Sequence, residues 1–75
     1  MAINAKSITS QWVPSKYRDL GFRIEVVEQR PDDTIYELYF KDAPTGRRFS
    51  ELFMTEEGIG NACEQVMEEL NAPVP

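Results

Sequence analysis

A chain of 75 residues supports one domain with one core. A domain of that size buries only about 60% of its unfolded surface, so a partner or a second copy would add useful stability. Eight basic residues against 13 acidic ones give a net charge of −5. That balance argues against loose binding to nucleic acid or to an anionic membrane, which relies on excess positive charge. The single cysteine excludes an intramolecular disulfide and a thiolate zinc site, and the lack of histidine removes the commonest general base near neutral pH.

Residues 1–21 read as a covering arm of one or two short helices. Asn4 can cap a turn that carries Ile8 and Trp12 on one side, and Pro14 ends it. Pro14 or Ser15 then opens a second turn through Tyr17 and Leu20, and Gly21 suits a helix end that needs positive φ. Trp12 and Tyr17 are costly to leave in water, so the arm should pack on the domain. No basic start with an apolar run opens the chain, and no stretch approaches the roughly 20 apolar residues of a membrane span. A cytoplasmic location without membrane contact is the expectation.

Residues 22–54 read as a three-stranded antiparallel sheet. In the first strand, residues 22–29, Phe22, Ile24 and Val26 alternate with Arg23, Glu25 and, less cleanly, Val27. Arg30-Pro31-Asp32-Asp33 is a turn, because proline presets the first torsion and aspartate bonds its own backbone. The second strand, residues 34–41, carries Tyr36, Leu38 and Phe40 on one face and Ile35, Glu37, Tyr39 and Lys41 on the other. A turn over residues 42–46 follows, with Gly46 in the left-handed position. The third strand, residues 47–54, holds Phe49, Leu52 and Phe53, and its muddled alternation points to a bulge.

Residues 55–71 form an amphipathic helix, ahead of a tail at residues 72–75. Ile59, Ala62, Cys63, Val66, Met67 and Leu70 make one apolar stripe. Thr55 caps the helix, and Glu56 and Glu57 suit its positive end. Gly58 and Gly60 weaken the first turns by roughly 1 kcal/mol each against alanine, which implies close packing or a delayed start. Glu56, Glu57, Glu64, Glu68 and Glu69 fill the wet side with no Lys or Arg among them. The helix therefore accounts for the whole net charge, since the other eight acids are matched by the eight bases. The fold expected is α+β: a short N-terminal helical arm, a three-stranded sheet, and a C-terminal helix packed on one face against Phe22, Ile24, Val26, Tyr36, Leu38 and Phe40. The second sheet face is covered by Trp12 or Tyr17 of the arm, or it serves as a contact surface.

Chemistry-bearing patterns are few. Asp32-Asp33 lacks the alternating carboxylates of a calcium loop. Gly58-Ile59-Gly60 faintly resembles an anion-binding turn, but Glu56 and Glu57 would repel a phosphate. Ser7, Ser10 and Ser15 have no base nearby in any nucleophile motif. Cys63 sits on the apolar stripe, which favours a buried and inert thiol. Lys41, Arg47 and Arg48, with Arg23 near them, gather around the second hairpin, where Glu37 and Glu51 can pair with them across strands.

The helix–three strands–helix order resembles the double-stranded RNA-binding domain in layout, although its final helix carries lysines where this one carries glutamates. The strands-then-helix part is similar to small sheet domains of the AP2 and integrase arm-binding types. That likeness implies a sheet that reads nucleic acid through Tyr39, Lys41, Arg47 and Arg48. Likeness of topology alone does not carry function. The expectation is a non-enzymatic protein-binding or regulatory module, needing no cofactor or metal, whose partner is another protein or a second copy. Its contact residues are Glu57, Glu64, Glu68 and Glu69 on the helix, Ile35 and Tyr39 on the second sheet face, and Arg47 and Arg48. Nucleic-acid binding through the sheet is the alternative, against which the charge speaks.

Overall fold

The computed structural model describes residues 11–71. The turn capped by Asn4 falls outside them, as does the tail at residues 72–75. The described chain is α+β, with the order α1 (Ser15–Arg18), β1 (Phe22–Arg30), β2 (Asp33–Phe40), β3 (Ala43–Ser50) and α2 (Glu56–Asn71). The three strands form one open antiparallel sheet with β2 in the centre. The amide N–H groups of Tyr17 and Arg18 donate to the Pro14 carbonyl, which starts α1. Gly21, at φ +108°, turns the chain into β1.

The first hairpin turns over residues 30–33 as expected, and the second is tighter than expected. Arg30 pairs with Asp33, so only Pro31 and Asp32 make the first loop. Phe40 pairs with Ala43, so the second loop is Lys41-Asp42 rather than residues 42–46. Both of those residues take positive φ, at +49° and +67°. Two consecutive left-handed residues twist a two-residue loop in the sense that antiparallel strands need. Gly46 is left-handed as expected, at φ +81°, but it lies inside β3. There the register slips, and residues 45–47 stand opposite Leu38 alone. The Thr45 hydroxyl donates to the Leu38 carbonyl at 2.8 Å and fastens this bulge.

The third strand also ends earlier than expected. β3 stops at Ser50, and residues 51–53 form a turn. The N–H groups of Phe53 and Met54 both donate to the Ser50 carbonyl, at 3.0 and 2.8 Å. Met54 is buried beyond the turn, whereas Leu52 is 66% exposed and Phe53 81% exposed. Three successive apolar residues cannot all point inward from a chain that must reverse, and the turn resolves the conflict outward for two of them.

The core lies between the sheet and α2. Phe22, Ile24, Tyr36 and Leu38 pack with Ile59, Ala62, Cys63 and Val66, and Val13 and Met54 close the ends. Phe22 and Phe40 lie ring on ring with centroids 4.4 Å apart, and Tyr17 meets Phe22 edge-on at 5.8 Å. Trp12 and Tyr17 therefore pack on this core, at the helix side of the sheet, not over Tyr39 and Ile35. Val26 is half-exposed rather than part of the core, because Val27 is an extra residue in β1 that bends the strand away. The last residue of the apolar stripe, Leu70, is 60% exposed.

Candidate functional site

The acidic side of α2 begins with its cap. The Gly58 N–H donates to the Thr55 hydroxyl at 2.9 Å, which fixes the first turn. A Cβ on Gly58 would stand 3.1 Å from that hydroxyl oxygen, and one on Gly60 would meet Pro14 at 3.4 Å. The glycine at 60 therefore lets the arm, rather than the sheet, approach α2. Glu57, Glu64 and Glu68 follow at intervals of seven and four residues, close to two turns and one turn, so they share one stripe. All three are exposed, and among the described residues none is in an ion pair. Beside them a shallow groove of about 370 Å³ runs between the arm and the helix, walled by Pro14, Lys16, Tyr17, Glu57 and Glu64, with the Lys16 ammonium 4.9 Å from the centre of the Tyr17 ring. Glu69 differs from its neighbours, since its carboxylate accepts a hydrogen bond from the Arg47 guanidinium of β3.

The sheet face away from α2 carries Arg23, Glu25, Ile35, Glu37, Tyr39 and Arg48, as the strand register requires. Ile35 and Tyr39 are half-buried there. The Arg23 guanidinium lies 5.0 Å from the centre of the Tyr39 ring and is held by Glu25 and, at 2.8 Å, by Asp42. The hydrogen bond to Glu25 raises the Arg23 pKa further above its ordinary value. Glu37, only 6% exposed, accepts from Arg48 at 3.0 Å. Its burial was not legible in the alternation, although a central-strand carboxylate opposite an arginine was a usable signal.

The basic residues expected to cluster around the second hairpin are divided between faces. Arg47 reaches the helix side and Arg48 the opposite side, while Lys41 sits at the turn with its ammonium 5.3 Å from the Phe40 ring. Glu37 pairs with Arg48 as expected, but Arg47 pairs with Glu69 rather than with Glu51. All four strand arginines, Arg23, Arg30, Arg47 and Arg48, are in ion pairs.

Two further features complete the picture. Cys63 is fully buried, and burial pushes its thiol up to about 11, so the thiolate is scarce at neutral pH. An open groove of about 250 Å³ lies between β3 and the last turns of α2, lined by Phe40, Pro44, Val66 and Leu70 together with the paired Arg47 and Glu69. Sequence reasoning did not anticipate it, because it depends on where Pro44 falls in the hairpin. Among the described residues, no helix is long and apolar enough to cross a membrane. No protein-family model matches the chain, nor does any curated protein or solved structure.

Proposed function

We propose that the chain is a non-enzymatic binding module whose acidic helix stripe engages a basic surface on another protein. One observation carries this reading: Glu57, Glu64 and Glu68 stand exposed on a single line of α2, with no ion pair among the described residues. Glu68 lies in the last turn, where the helix's partial negative charge disfavours another anion, and no basic residue occupies that turn. The carboxylate there does nothing for the helix. A row of like charges of this kind steers a basic partner and sets its orientation. In the groove between the arm and α2 the Lys16 ammonium lies over the Tyr17 ring, so the exposed carboxylates of the stripe, rather than that ring, carry the reading. Ion pairing of every strand arginine supports a protein partner over nucleic acid, because a phosphate would have to displace a carboxylate already in place.

The test is capture of binding proteins from the native host by the wild-type chain and by a Glu57→Gln, Glu64→Gln, Glu68→Gln variant. The expected result is a basic protein retained at low salt, lost as salt rises, and not retained by the variant. Equal retention of the same protein by both chains, with equal salt dependence, would remove the helix stripe from the function. Retardation of duplex DNA or RNA at low salt would favour the sheet instead.

A further inference from the structure

We draw no further inference here: the strongest candidate, the open apolar groove between β3 and the last turns of α2, carries nothing, because its Arg47 is already paired with Glu69 and nothing in the structure shows what covers it.

Discussion

Asp33 accepts three hydrogen bonds, from the Ser50 hydroxyl, the Thr34 N–H and the Leu52 N–H, and so ties the start of β2 to the turn after β3. The bond from Ser50 does most to hold its carboxyl below the usual aspartate range. A folded-state pKa below the unfolded value means that the carboxylate stabilises the fold above about pH 4 and stops doing so as pH falls through the lower folded value. Asp33→Asn keeps the shape and removes the charge. The variant is expected to unfold at lower urea than the wild type at pH 7, with the gap closing as pH falls through the lowered folded value. A gap that is constant across that range would mean that the hydrogen bonds to the charged form contribute nothing.

At the scale of elements, the second hairpin is the most informative. A residue other than glycine, asparagine or aspartate is disfavoured in the left-handed region by roughly 1–2 kcal/mol, and Lys41 occupies it. Asp42, at the next position, is of a type that tolerates it. Lys41→Asn should therefore raise stability by about 0.5 kcal/mol, measured as a higher urea midpoint at unchanged slope. No gain would indicate that the loop is not in the conformation described. This hairpin also explains where the sequence was readable and where it was not. Helix α2 was legible because its period, its Thr55 cap and its acidic first turn all agree, and the first two strands followed from alternation along β2 and along β1 as far as Val26. Turn signals in β3 were stronger than the turn itself. Pro44, Thr45 and Gly46 have turn chemistry, yet they form an edge-strand start and a bulge, positions where proline and glycine are also accepted. Lys41, the residue that does turn the chain, carries no such signal. The candidate groove was lost with that register, and so was the outward placement of Leu52 and Phe53, whereas the Glu57, Glu64 and Glu68 stripe was plain from helical spacing alone.

Across the whole molecule, charge is arranged in part against the interest of the fold. Glu57 lies in the first turn of α2, where the helix's positive end favours it, and Glu68 lies in the last, where the negative end opposes it. Glu69 is compensated by Arg47, but Glu68 has no cation among the described residues. If both carboxylates served only the helix, neutralising either would destabilise it. The macrodipole instead predicts opposite signs. Glu57→Gln should lower stability by about 0.5 kcal/mol, and Glu68→Gln should raise it by a similar amount, since it also relieves part of the net charge of −5. Both effects should shrink between about 10 mM and about 1 M salt, as the screening length falls from about 30 Å to about 3 Å. Urea unfolding of the two single variants at the two salt concentrations measures this directly. A stabilising Glu68→Gln would identify a carboxylate kept at a cost to the fold, as a partner-binding role requires. A destabilising one would return Glu68 to the fold and deprive the acidic stripe of its physical argument.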